Sequence, residues 1–245
     1  MIKMKGIRIN RYIALCGLSS RREAEKLILS GRVKINGRII KKLSIRINPK
    51  SDKVEVDGKI IEIQREKIYL MLNKPFGYIC SRKDPMGRHT IYELLNGRYR
   101  NLFSIGRLDF DSLGLLLLTN DGKLCYSLTH PRFAIPRTYK VVIDKIIKDS
   151  AIERLKKGGI ILKDGESPPV KISLLEIKRK RSILRITIRS GRNRIVRRIF
   201  EALGYRVIHL IRIGFGPIQL GDLKVGQYRR LTPKEIGMLK ASIRS

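Results

Sequence analysis

Acidic side chains are scarce in this chain of 245 residues. Only 21 Asp and Glu stand against 54 Lys and Arg, a formal net charge of +33. A folded protein with that imbalance repels itself unless a polyanion is near, so nucleic acid is the expected partner and self-association is disfavoured; a monomer is expected. The basic residues are spread along the chain instead of gathered on one long amphipathic helix, which sets a membrane surface aside. No apolar run reaches bilayer-spanning length. The opening MIKMKGIRIN has neither the continuous apolar core nor the small-residue cleavage site of a secretory signal. Cysteine is rare, odd in number and widely spaced (Cys16, Cys80, Cys125), which fits reduced thiols in the cytoplasm. The three histidines, His89, His130 and His209, show no ligand spacing with them, so no metal is expected. Neither a phosphate-loop GxxxxGKS/T pattern nor a strand-linked GxGxxG is present, so no cofactor is expected.

The first sixty residues read as a separate small unit. Ile9, Ile13 and Cys16 recur at helical spacing before Gly17, a fitting helix stop. Ser20-Arg21-Arg22-Glu23 has the S-x-x-E capping pattern and opens a second helix whose apolar side is Ala24, Leu27 and Ile28. Val33 and Ile35 alternate with basic residues ahead of an Asn36-Gly37 hairpin turn, and Asp57-Gly58 joins a further pair of short strands. Residues 1–60 hold 16 Lys and Arg against 5 Asp and Glu. Arg21 and Arg22 fall in a first helical turn, where the macrodipole disfavours cations; phosphate binding would account for them as well as plain solvation does. The core RINRYIALCGLSSRREAEKLILSGRVKING, Arg8 to Gly37, resembles the small RNA-binding domain named after the fourth protein of the small ribosomal subunit. That resemblance implies RNA-backbone contacts from Arg21, Arg22, Lys26, Arg32 and Lys34. The domain is assigned to 1–62 and a polar linker to 63–67.

From residue 68 onward strands outnumber helices and are joined by turns, so an α+β fold with a mixed, largely antiparallel sheet is expected. Strands are expected at 68–72, 139–143, 170–177, 183–188 and 206–213. A helix with its cap at Ser150–Glu153 is expected to end at Gly158, and another is expected over Arg192–Leu203. In the latter Ile195, Val196, Ile199, Phe200 and Leu203 form the apolar face, while Arg194, Arg197 and Arg198 project opposite. Thr232, Pro233 and Glu235 mark the start of a last helix. From Lys178 to Arg198 there are ten Lys or Arg and no acid.

Within this basic background GRLDFDSLGLLLLTNDG, 106–122, sets Asp109 and Asp111 ahead of a buried-looking run, Leu115–Leu118. If the segment were extended, both carboxylates would face one side, roughly 7 Å apart. On residue types alone either could be a structural ion-pair partner, because such pairs also perturb carboxylates. An enzyme acting on a base of RNA needs a reactive group, a pocket and a ring to stack on, and Tyr139 offers a ring on an alternating strand.

The motif, together with NKPFGYICS (73–81), RTYKV (137–141), GRNRIVRRIF (191–200) and the segment LIRIGFGPIQLGDLKVGQYRRLT, resembles the pseudouridine synthases of ribosomal RNA that carry the N-terminal domain just described. The resemblance covers nearly the whole chain. It implies an isomerase that detaches uracil from its ribose, rotates it and rejoins it through carbon, with no cofactor. It assigns catalysis to Asp109, base packing to Tyr139, an apolar pocket wall to Val196 and pairing with the catalytic Asp to Arg197, and leaves Asp111 structural. Arg192, Arg194 and Arg198 are assigned to RNA contact. Ser190 and Ile195 depart from the family, which often has Glu and Gln or Glu there. The DPMGRHTIYELL loop and the GRNR form lean toward members acting on large-subunit rRNA in a pre-ribosomal particle. Small-subunit rRNA, or a non-catalytic assembly factor on the same fold, are the alternatives. A methyltransferase with this N-terminal domain would need a glycine-rich cofactor loop after a strand, and the sequence has none.

Overall fold

A computed structural model describes residues 6–63, 66–82 and 84–243. The expected linker includes residues 64 and 65, which lie outside the described residues. The chain divides into two units, with the boundary between Lys67 and Ile68.

In the first unit β1 (Ile7–Arg8) leads into α1 (Ile9–Leu15) and α2 (Arg21–Leu29). Short strands follow: β2 (Val33–Ile35), β3 (Arg38–Ile40), β4 (Arg46–Ile47), β5 (Val54–Val56) and β6 (Lys59–Ile60). The capping pattern forms as read: Ser20 Oγ accepts the Glu23 N–H and the Glu23 carboxylate accepts the Ser20 N–H. Asn36-Gly37 and Asp57-Gly58 both take the left-handed conformation that two-residue hairpin turns require. The strands pair in the order β3-β2-β5-β6, with β1 on β4. Ile9, Ile13, Ala24, Ile28, Val33, Ile47 and Val54 form the core.

The second unit is a nine-stranded sheet. Its strands are β7 (Tyr69–Lys74), β8 (Phe103–Ile105), β9 (Leu113–Thr119), β10 (Arg137–Ile143), β11 (Lys171–Lys178), β12 (Arg181–Ile188), β13 (Val207–Phe215), β14 (Ile218–Gln219) and β15 (Tyr228–Arg230). The order is β11-β12-β10-β13-β9-β7-β15, with β14 on β13 and β8 on β9. All pairings are antiparallel except β9 with β13. The helices are α3 (Gly122–Thr129), α4 (Asp149–Lys157), α5 (Ile195–Ala202) and α6 (Pro233–Ala241).

The fold is therefore α+β with a mixed, mostly antiparallel sheet. The Leu115–Leu118 run is apolar because β9 is covered on both faces. Leu116 and Leu118 join the core that holds Val196, Ile199 and Phe200 of α5, while Leu115 and Leu117 join the core that holds Leu124 and Leu128 of α3 and Leu239 of α6.

Two expected helix starts shift. The helix after Lys148 begins at Asp149, with Lys148 at the cap and Ser150 already helical. The helix expected from Arg192 begins only at Ile195, because Arg194 takes a left-handed conformation (φ 48°) that a right-handed helix cannot include.

Candidate active site

Asp109 and Asp111 lie in the loop between β8 and β9, and this loop is a turn, so the condition under which both carboxylates would face one side of an extended segment is not met. The Ser112 N–H donates to the Asp109 carbonyl at 3.1 Å. Every carbonyl from Leu108 to Ser112 has a donor. Leu108 accepts from the Cys80 thiol, Phe110 from the Gly77 N–H, Asp111 from Arg197 Nη2 and Ser112 from Lys74 Nζ. Strand β7, the residues after it and α5 thus clamp the loop from outside it. A backbone held at each residue fixes where its side chains point.

The two carboxylates have different surroundings. Asp111 is held by the Arg194 guanidinium, with both contacts at 3.1 Å, and Arg197 Nε stands 3.2 Å away. Burial pushes the Asp111 carboxyl up, but the Arg194 hydrogen bonds and the charges of Arg197 and Arg194 outweigh it and hold the group below the usual carboxylate range. The Asp109 carboxylate accepts no hydrogen bond from a described residue; Arg194 Nη1 is 3.9 Å away, and 35% of the side chain is exposed.

The sequence reading paired Arg197 with Asp109. In the structure the direct ion pair of Arg197 is with Asp111, and Arg194 is the cation that approaches Asp109. The reason lies in the turn. Arg197 reaches across to the Asp111 carbonyl, while its Nη1 donates to the Val207 carbonyl at 2.9 Å, so its fork ties α5 to β13 and to the loop.

Changing Arg197 to Lys keeps the charge but loses that fork. The expected result is a loss of about 2 kcal/mol in unfolding free energy from two charged hydrogen bonds. Turnover should fall about 10- to 100-fold through displacement of Asp109, with KM little changed. Wild-type turnover in Arg197→Lys would contradict this positioning role.

Asp109 opens onto a cavity of about 490 Å³, a size suited to one nucleotide. Tyr139, Val196 and Leu210 supply its apolar wall, all three nearly buried. Six arginines also line it: Arg107, Arg137, Arg189, Arg192, Arg194 and Arg212. Among the described residues, Asp109 is the one acid in the lining. The cavity therefore suits an anionic ligand with a flat apolar part.

The other residues assigned to RNA contact fall into two groups. Arg21, Arg22 and Lys26 are exposed and have no carboxylate partner among the described residues, whereas Arg32 forms a fork on Asp57 with contacts of 2.7 and 2.6 Å and Lys34 is half-buried. Arg192 donates to the carbonyls of Asp164, Gly165 and Glu166, and Arg198 forks the Asp164 carboxylate. With Arg194 engaged by Asp111, neither it nor Arg198 is the freely projecting cation that the helical pattern suggested.

Two site residues escaped the sequence reading. Arg212 is buried, donates from Nε to the Leu115 carbonyl at 2.7 Å and has an Nη2 with no hydrogen-bond partner among the described residues. Lys74 is fully buried, with Nζ bonded to the Pro75 and Ser112 carbonyls. A basic residue ending the mostly apolar β7 was the available signal for Lys74, but its setting is made by distant chain: Gly114 of β9 pairs with it and the Ser112 carbonyl accepts its amine.

Burial lowers the Lys74 amine from 10.5 to about 8, against the opposing attraction of Cys80, Asp109 and Asp111. Between these two values the unfolded chain binds the proton that the folded chain has released, so this group's contribution to stability rises with pH. Below about pH 8 the buried charge is a constant cost. Relative to Lys74→Met, the wild type should gain on the order of 1 kcal/mol per pH unit across that window in denaturant unfolding. A flat difference between the two proteins would show that Lys74 is not the titrating group.

The fold and cavity together define an RNA-modifying enzyme: a basic catalytic unit with a flat, anion-friendly pocket around one uncommitted carboxylate, preceded by a small basic helix–hairpin module. Comparison with known proteins agrees. Residues 68–202 match the RNA pseudouridylate synthase family and residues 7–52 the S4 domain. An RNA pseudouridine synthase of Aquifex aeolicus (strain VF5) is 41% identical over 237 residues, 96% of this chain and 94% of its own. Ribosomal large subunit pseudouridine synthase B of Bacillus subtilis (strain 168) is 40% identical over 236 residues, 96% of each chain. A crystal structure of a pseudouridylate synthase aligns with a TM-score of 0.70 at 34% identity, covering 95% of this chain and 99% of that one. The chain belongs to the RNA pseudouridine synthase family, and the enzyme is an isomerase with an N-terminal S4 RNA-binding domain.

Proposed function

We propose that this enzyme converts a specific uridine of ribosomal RNA, in the large subunit, to pseudouridine, and that Asp109 is its catalytic residue. The observation that carries the assignment is the contrast inside one turn. The Asp111 carboxylate is engaged by Arg194 and Arg197, while the Asp109 carboxylate faces the cavity with no hydrogen bond from a described residue.

The reaction conserves atoms. The bond from ribose C1′ to uracil N1 breaks, a bond from C1′ to C5 forms, the C5 proton leaves and N1 gains a proton. Asp109 is the group that acts on the anomeric carbon or the base of a nucleotide held in the cavity. Tyr139 and Val196 supply the walls between which a detached base is held flat while it turns. Of the lining arginines, Arg107 and Arg189 are exposed and have no carboxylate partner among the described residues, and these meet the phosphates on either side, while Arg194 orients Asp109 from 3.9 Å. Arg21, Arg22 and Lys26 of the S4 domain grip RNA backbone elsewhere, and the net charge of +33 keeps the enzyme monomeric in the cytoplasm until RNA is bound.

The large-subunit assignment is supported by the name and near full-length match of the Bacillus subtilis relative. Mapping pseudouridines in rRNA from cells with and without this gene tests it. Loss of a site from large-subunit rRNA is expected. Loss confined to small-subunit rRNA would move the substrate, and an unchanged map in both would favour a non-catalytic role.

A further inference from the structure

The hairpin of β11 and β12 breaks three local rules with cations. Its two-residue turn is Arg179-Lys180, and both residues have positive φ, 48° and 58°. A turn of this kind selects Asn-Gly, because side chains with a Cβ and no local hydrogen bond are strained there. The pair that closes the turn is Lys178 opposite Arg181, like charges in direct register. Four residues further along β12, on the same side of the strand, Arg185 stands directly opposite Lys140 of β10. Like charges facing each other across a ladder destabilise a sheet. None of these six cations has a carboxylate partner among the described residues. The one acid on this face of the hairpin is Glu176, opposite Ile183.

The face itself is uncovered. On β12 the buried residues are Ser182, Leu184, Ile186 and Ile188, whereas Arg181 and Arg185 are exposed. Tyr139, whose side chain lines the cavity, belongs to the buried side of the same sheet, packed with Leu184 and Ile186. The cationic row thus occupies the other side of the sheet, and the turn lies roughly 20 Å along β12 from the strand end beside the cavity.

Where a sequence departs from its local preferences several times at one place, a function is the usual compensation. We propose that the β11–β12 hairpin and the sheet face carrying Lys140 and Arg185 form a second RNA-backbone site. This site grips duplex RNA remote from the modified uridine. The occupant follows from charge complementarity, since a phosphate ladder relieves the repulsion at each like-charged pair. The proposal rests on the RNA-modifying reading of the cavity.

The test is the double variant Arg179→Asn/Lys180→Gly, which supplies the residues that the turn prefers. If the cations serve RNA, stability and binding move in opposite directions. The melting temperature rises by a few degrees. Affinity for an RNA duplex several helical turns long falls, and the slope of log affinity against log salt becomes shallower by about 1.8, as expected for two lost phosphate contacts. Pseudouridine formation on a short stem-loop that fills only the cavity stays at the wild-type rate. The pair Lys140→Thr/Arg185→Thr should repeat the shallower slope without touching the turn.

Unchanged duplex affinity and salt slope in both variants would overturn the proposal, as would equal losses on the duplex and the stem-loop. A wild-type protein that shows the slope difference but forms no pseudouridine would support this site and overturn the reading of the cavity instead.

Discussion

Replacing Asp109 with Asn should abolish pseudouridine formation while RNA binding persists. The turn that carries the residue is held through backbone carbonyls and through Asp111, none of which the change touches. Stability should therefore barely move, because the 3.9 Å approach of Arg194 is a half-exposed pair worth about 0–1 kcal/mol. RNA affinity should be equal or slightly higher, since one negative charge leaves a cavity lined by arginines. Turnover should fall on the order of a thousandfold or more, as when a reacting group is removed from an otherwise intact site. Tritium release from C5-labelled uridine in RNA, read beside a binding isotherm, separates the two effects. An Asp109→Asn enzyme with wild-type tritium release would remove Asp109 from the chemistry. The corresponding Asp111→Asn change would be the informative contrast, because it frees Arg194 and loosens the clamp.

The largest loss of stability is expected at Gly114. This residue is the second of β9, where that strand makes its parallel pairing with β13, directly opposite Arg212, and it is paired on its other side with Lys74. Its φ is +100°, and an added Cβ would run into the backbone of Arg212, with the Arg212 nitrogen at 2.8 Å. Neither neighbour can yield. Arg212 is buried and fixed to the Leu115 carbonyl, and Lys74 is fixed to the Ser112 carbonyl. Gly114→Ala should therefore cost about 4 kcal/mol or more, the range of severe backbone strain and core disruption, and leave little folded protein. Denaturant unfolding of the purified variant is the measurement. A midpoint close to wild type would mean that β9 and β13 can separate without harm.

Particular residues show where reading the chain succeeded and where it stopped. The S-x-x-E box at Ser20 and the T-P-x-E start at Thr232 both formed as their local chemistry dictates, because a cap is made within four residues and needs no distant partner. Tyr139 and Val196 reached the cavity wall because strand and helix periodicity already place them on the inward side. Arg194 defeated the same logic. Helical spacing set it on an outward face beside Arg197, but its left-handed backbone keeps the helix from starting before Ile195, and its guanidinium pairs with Asp111. Gly114 carried a signal of its own, a glycine inside an apolar strand, which marks close backbone approach. The identity of the approaching strand was not in that signal.

By itself, then, the sequence determined the class of partner, the two-part organisation, the capped helices and the apolar run of β9, since charge, periodicity and capping act over short stretches of chain. The division of labour between Asp109 and Asp111 was decided only in three dimensions. Two carboxylates separated by a single residue are chemically alike. What distinguishes them is that Arg197, from a helix 86 residues away, and Arg194 beside it close on Asp111. Long-range packing assigned one acid to hold the turn and left the other facing the cavity.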